Sequence, residues 1–178
     1  MIKEYQDKWL SLRASVRMSI VFTVLLVFSL KLFYNYADTD DMLWIIKPTA
    51  IFTSVFTAQS FQYISGEGYY FADSDIIINK SCSGIVFLMV VVCCTAFSWA
   101  SYTHIKGGFS IWVVLLGTSY LLTVFVNSSR IMLDMFLKKN LLLPVNDFIH
   151  EALGVAVYLI FLFSYYLLLY RYFNRLNK

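Results

Sequence analysis

The chain has 178 residues, of which 60% are hydrophobic, 19% aromatic and only 14% charged, with a net charge of +3 and a mean hydropathy of +0.68. A soluble domain of this length carries about 25% charged residues, so an ordinary soluble protein is excluded, and so is a disordered one, because this much apolar surface collapses. With two prolines and seven glycines to interrupt it, the sequence predicts one small integral-membrane domain over 1–178. Its expected fold is all-α and polytopic, with about four to six transmembrane helices of roughly 20 residues each and a small extracytoplasmic hairpin.

The first apolar run, Val16 to Tyr36, follows Lys3, Lys8 and Arg13 and carries Arg17 at its very start. Basic residues before an apolar stretch resemble a signal peptide, but the stretch is long and no small-residue cleavage site follows, so a retained anchor is expected. Leu43 to Ile64 contains Lys47, Pro48, Gln59, Gln62 and several hydroxyl residues. Its weaker apolar drive predicts a re-entrant or interfacial helix whose polar residues face protein or headgroups. Ser65 to Ser81 reads as a hairpin, with Gly66 and Gly68, then Tyr69-Tyr70-Phe71, an Asp73-Ser74-Asp75 turn and the β-branched run Ile76 to Ile78. Three more spans are expected at Gly84 to Tyr102, Phe109 to Val126 and Ala152 to Tyr170, the first two joined by a tight turn at Thr103 to Gly108. Between the last two, Asn127 to His150 is a second polar segment, holding an apolar patch with Asp134, Lys138, Lys139, Pro144 and Asp147.

Basic residues gather at both ends of the chain, the second group being Arg171, Arg175 and Lys178, so both termini are expected on the cytoplasmic side of a prokaryotic plasma membrane. Four spans satisfy that condition. They put the hairpin and the 127–150 segment together on the extracytoplasmic face, where the chemistry is expected.

Three residues at helix ends carry that expectation. Cys82 lies where the hairpin enters a helix, and a helix N-terminus favours the nucleophilic thiolate. Cys93 and Cys94 sit in mid-span, where apolar surroundings keep thiols inert, and three cysteines so distributed argue against a disulfide framework. Arg130, after Asn127-Ser128-Ser129, is costly in a membrane unless it snorkels or pairs with Asp134 four residues on. It would offer permanent charge to a thiolate or an oxyanion. His150 opens the last helix behind Asp147 as N-cap, where the positive helix end keeps the imidazole neutral and available as a base. Gly154, one turn later, permits close approach of another helix. A nucleophile, an oxyanion donor and a general base on one membrane face form a catalytic set.

Other chemistries have weaker support. Ser83 lies outside any Gly-x-Ser-x-Gly elbow, no His-Glu-x-x-His or Cys-x-x-Cys suggests a metal, and no cofactor or nucleic acid is expected. A non-enzymatic membrane scaffold or assembly subunit is the competing class.

At Ser81-Cys82-Ser83-Gly84-Ile85, Asn127-Ser128-Ser129-Arg130 and His150-x-x-x-Gly154 the chain resembles the exosortase/archaeosortase family, membrane-embedded cysteine transpeptidases that process C-terminal sorting signals. The resemblance covers roughly Leu43 to Tyr170, and the chain looks like a short form similar to the exosortase K group. It implies catalytic roles for Cys82, Arg130 and His150, with Asn127 and Ser129 lining a substrate pocket. It also implies, as partners, the C-terminal tails of exported proteins and membrane lipids.

Overall fold

The computed structural model describes the backbone of residues 14–101, 109–141 and 147–176, and the side chains of 16–99, 112–139 and 151–175. The expected turn at Thr103 to Gly108 lies outside the described residues, as do the basic N-terminal flank and Pro144.

Helix α1, Ala14–Tyr36, runs 23 residues without glycine or proline. Its end is closed by Lys80, whose ammonium donates to the Ala37 carbonyl at 2.7 Å while lying 5.2 Å from the Tyr34 ring centroid. A cation is favoured there because the last carbonyls of a helix lack backbone partners. After a 3-10 turn at Asp40–Met42, α2 spans Leu43–Thr57. Its buried face, Ile45, Ile46, Thr49, Ala50 and Thr53, repeats at helical spacing. Pro48 lies inside this helix and has no N–H to donate to the Trp44 carbonyl. The Tyr120 hydroxyl, from a helix later in the chain, donates to that carbonyl instead, at 2.6 Å. Fifteen residues rise about 22 Å, less than the ~30 Å hydrocarbon core of a bilayer, and Thr49 and Thr53 face protein.

Strands β1 (Gln62–Ile64), β2 (Gly68–Phe71) and β3 (Ile76–Ile78) form an antiparallel meander in that order, with Tyr63 opposite Tyr69 and Tyr70 opposite Ile77. The expected hairpin is therefore β2 and β3, and β1 is an addition. Three residues carry no periodicity of their own, so β1 was indistinguishable from the end of the 43–64 segment; pairing with β2 decides it. Tyr69, Phe71 and Ile78 turn into a core shared with Met42, Ile45, Ile46, Ile131 and Met135.

A 3-10 turn at Lys80–Cys82 leads to α3 (Ile85–Ser101), followed by α4 (Phe109–Leu141) and α5 (Asp147–Leu176). Helix α3 is central, packing against α1, α4 and α5. The sequence expectation that the third span stops at Val126 is corrected: α4 continues unbroken through Asn127-Ser128-Ser129 to Leu141. Hydroxyl and amide residues suggested a stop, but no glycine or proline lies between Gly117 and Pro144. Ser128, Ile131 and Met135 are buried against α2 and the sheet, and that burial outweighs the low intrinsic helix propensity of the Asn-Ser-Ser run. Most of the segment expected to be a polar loop is thus helix.

Among the described residues, four helices are long and apolar enough to cross a membrane, over Val16–Tyr36, Lys80–Trp99, Trp112–Lys139 and Glu151–Arg175. The ends of α1 and β3, the turn at Lys80–Cys82, the start of α5 and the later half of α4 meet at one end of the bundle. The other end is closed by Trp99 and Trp112, edge to face at 5.7 Å, with Phe22 5.4 Å from Trp112.

Candidate active site

Cys82 is held by the chain before it. The Asn79 side chain accepts hydrogen bonds from the Ser81 N–H at 3.1 Å and the Ser81 hydroxyl at 2.6 Å, and the Cys82 N–H donates to the Asn79 carbonyl at 3.0 Å. These bonds close the 3-10 turn and leave the Cys82 side chain half-buried. Cys82 is not in the first turn of α3, as its spacing suggested, because Gly84 intervenes with φ +72°. That left-handed conformation suits glycine and ends the 3-10 turn before α3 begins. The axial field of α3 is correspondingly weaker at the thiol, since it fades beyond the first turn.

The electrostatic partner of the thiol comes from α4. Asn127 is fully buried and bridges two elements, its amide donating to the Cys82 carbonyl at 2.5 Å and its oxygen accepting from the Tyr158 hydroxyl of α5 at 2.8 Å. Gly84 makes room for it: a Cβ there would stand 3.0 to 3.2 Å from the Asn127 side chain. One turn on, Arg130 reaches across to α5, its Nη1 3.4 Å from the Tyr158 hydroxyl and its Cζ 5.6 Å from the Tyr158 ring centroid. The guanidinium lies beside the Tyr158 hydroxyl and within electrostatic reach of Cys82 and Asp134. Gly154 is the floor of this contact, where a Cβ would fall 2.7 Å from Arg130 Nε. Tyr158 is itself fixed by stacking on Phe87 of α3, with ring centroids 4.6 Å apart.

Three of the residues singled out in the sequence are thus brought together: Cys82 and Asn127 by a direct bond, and Arg130 through Tyr158. Ser129 is not joined to them by this network; its hydroxyl donates to the Phe125 carbonyl of its own helix at 2.9 Å. His150 and Asp147 belong to α5, but their side chains lie outside the described residues. His150 stands one turn before Gly154, at the end of α5 that faces Arg130.

Tyr158 escaped the sequence reading. It looks like one more aromatic in an apolar span, and its only signal is its place four residues after Gly154 on one helix face. Cys93 and Cys94 stand apart, lining an apolar cavity of about 700 Å³ with Val27, Met89, Phe97 and Tyr166. Cys93 also lines a second apolar cavity with Lys31, so a neighbouring cation does not by itself set Cys82 apart; the bonded chain from its carbonyl through Asn127 and Tyr158 to Arg130 does. Chemically the assembly offers a half-buried thiol, a permanent cation oriented by an aromatic hydroxyl, and a buried amide that fixes the backbone between them. Comparison of the chain with models of protein families, with curated proteins and with solved structures gave no match.

Proposed function

We propose that the chain is a membrane-embedded cysteine peptidase and transpeptidase of the exosortase kind. It works at the extracytoplasmic face of a prokaryotic plasma membrane on the C-terminal sorting signals of exported proteins. The Cys82 thiolate attacks a peptide carbonyl, and the guanidinium of Arg130 stabilises the oxyanion that develops. His150, which takes the Cys82 thiol proton as the thiolate forms, passes it to the amine as the C–N bond breaks, leaving a thioester on Cys82. It then takes the proton of the acceptor, water or an amine, whose attack releases the product and restores the thiol. No metal or cofactor enters these steps.

The observation that carries this reading is the hydrogen-bonded chain from the Cys82 carbonyl through Asn127 and Tyr158 to Arg130, with Gly154 cut back beneath the guanidinium. Such a chain fixes a cation relative to a thiol, which packing alone does not require. One feature favours the second reading, a non-enzymatic assembly subunit: buried amide and hydroxyl bonds between helices are also the glue of membrane bundles. The readings part on a single experiment, replacing Cys82, Cys93, Arg130 and His150 singly and following the C-terminal mass of a co-expressed tail-anchored substrate. Processing is expected to vanish with Cys82→Ala and to persist with Cys93→Ala. Processing that survives Cys82→Ala would sink the cysteine mechanism.

A further inference from the structure

Lys31 is exposed on α1, five residues, about 8 Å, before that helix ends at Tyr36. A lysine at such a depth reaches along its stem toward polar surroundings, and its ammonium lies 5.6 Å from the centre of the Tyr34 ring, one turn nearer the helix end. The Lys80 ammonium stands 5.2 Å from the same centre. Two cations thus flank one aromatic ring, and among the described residues neither is ion-paired with a carboxylate. Asp41, just past the helix end, accepts from the Asp38 N–H at 2.9 Å. Lys80 gives one of its three donors to the Ala37 carbonyl and keeps two.

Below Lys31 the surface is a cleft. A cavity of about 350 Å³ between α1 and α3 is lined by Ile20, Val24, Phe28 and Lys31 on one side and by Cys93 and Phe97 on the other, and Lys31 is its one charged residue. Val24, Phe28 and Phe97 are 59%, 60% and 59% exposed, so the cleft opens sideways, toward the membrane. It adjoins the larger cavity of about 700 Å³, since Val27, Cys93 and Phe97 line both. From Ile20 to Lys31 the helix rises about 16 Å, roughly half the ~30 Å that a spanning helix needs. The cleft is therefore too short to seat a further spanning helix along its length. A forked apolar cleft with cations at one end suits hydrocarbon chains that carry an anionic head.

We propose that this cleft is a binding site for a phospholipid of net negative charge. One acyl chain lies against Ile20, Val24 and Phe28, and the second enters the adjoining cavity past Cys93. The ammoniums of Lys31 and Lys80 hold the phosphate, as basic pockets between spanning helices hold anionic headgroups. The site needs only that α1 and α3 cross a membrane, and it does not rest on the peptidase reading.

The full chain, purified in detergent, is titrated with palmitoyl-oleoyl phosphatidylglycerol or with the phosphatidylcholine of the same chains, and bound lipid is counted by native mass spectrometry. One phosphatidylglycerol per chain is expected, held more tightly than phosphatidylcholine. Lys31→Gln should weaken phosphatidylglycerol about fivefold, the contribution of one interfacial lysine, and Lys31→Arg should retain it. Val24→Trp fills the cleft from its exposed side and should weaken both lipids. Inorganic phosphate should not compete. Equal binding of the two lipids, phosphatidylglycerol binding unmoved by Lys31→Gln or by Val24→Trp, or displacement by inorganic phosphate would each overturn the proposal. So would a lipid-free dimer that Val24→Trp breaks, because a second copy of the chain would then cover the cleft. These measurements use no peptide substrate and stand whether or not Cys82 is a nucleophile.

Discussion

Two polar knots in this molecule are built alike and placed differently. One centres on Asn127, which is fully buried and binds the Cys82 carbonyl and the Tyr158 hydroxyl. The other centres on Asp40, which is exposed and accepts from the Tyr63 hydroxyl at 2.8 Å, the Gly66 N–H at 2.9 Å and the Ser65 hydroxyl at 3.2 Å. The Asp40 knot has more bonds and carries a full charge, yet water can replace each of its partners. Around Asn127 no solvent waits to take over, so a lost partner leaves a buried polar group with nothing to bond. Burial, and not the number or charge of the bonds, decides which knot the structure depends on.

The largest effect is therefore expected at Asn127. Asn127→Leu takes the donor from the Cys82 carbonyl and the acceptor from the Tyr158 O–H, whose oxygen keeps Arg130, each loss costing about 1–3 kcal/mol. Thermal unfolding in detergent should show a clear fall in Tm, and a Tm within a degree of the wild type would break the contrast. Gly154→Ala comes next and acts on function more than on stability. Its Cβ would meet Arg130 Nε at 2.7 Å, and a cation displaced by about 1 Å lowers turnover about a hundredfold. Substrate processing should fall while Tm holds; unchanged processing would mean that the guanidinium position is irrelevant to the reaction. Gly84→Ala imposes a side chain at φ +72° and 3.0 Å from Asn127, a strain of about 1–2 kcal/mol. Its effect on Tm should be smaller than that of Asn127→Leu.

The smallest effect belongs to Asp40→Asn, and it depends on pH. The Gly66 N–H, followed by the Tyr63 and Ser65 hydroxyls, holds the Asp40 carboxyl below its ordinary value. A depressed carboxyl contributes stability that is present above the ordinary carboxylate range, near pH 4, and is lost as pH falls through its folded value. The small Tm difference between wild type and Asp40→Asn should thus be present at neutral pH and close in acid. A difference as large as that of Asn127→Leu, or one that widens in acid, would overturn the comparison. The same knot pushes the Tyr63 hydroxyl up, chiefly through its bond to Asp40, so Asp40→Asn should let Tyr63 ionise at lower pH in an ultraviolet titration.

Much of this architecture was legible in advance, and the reason differs by element. Spans are written in composition, because a bilayer demands long apolar runs, and Val16 to Tyr36 needs nothing else to declare itself. Cys82, Arg130 and Asn127 were also legible, because charge, amide and thiol are conspicuous in an apolar chain. Where helices stop was not. The Asn-Ser-Ser run looked like an end, and only the burial of Ile131 and Met135 against α2 and the sheet carries α4 on to Leu141. Tyr158 was invisible for the converse reason, being one aromatic among many until a neighbouring helix gives its hydroxyl something to bond.

Composition and motif spacing, which need no folding, were enough to say that the chain is a multi-pass helical membrane protein and which scarce polar residues to watch. Contacts between distant segments supplied the rest. That Asn127 bonds the Cys82 carbonyl across 45 positions, that Arg130 rests on Gly154 and Tyr158, and that Thr49 and Thr53 face protein all follow from how the helices pack. Side-chain pairing across helices depends on register and approach distance, and neither quantity is encoded in the periodicity of a single helix.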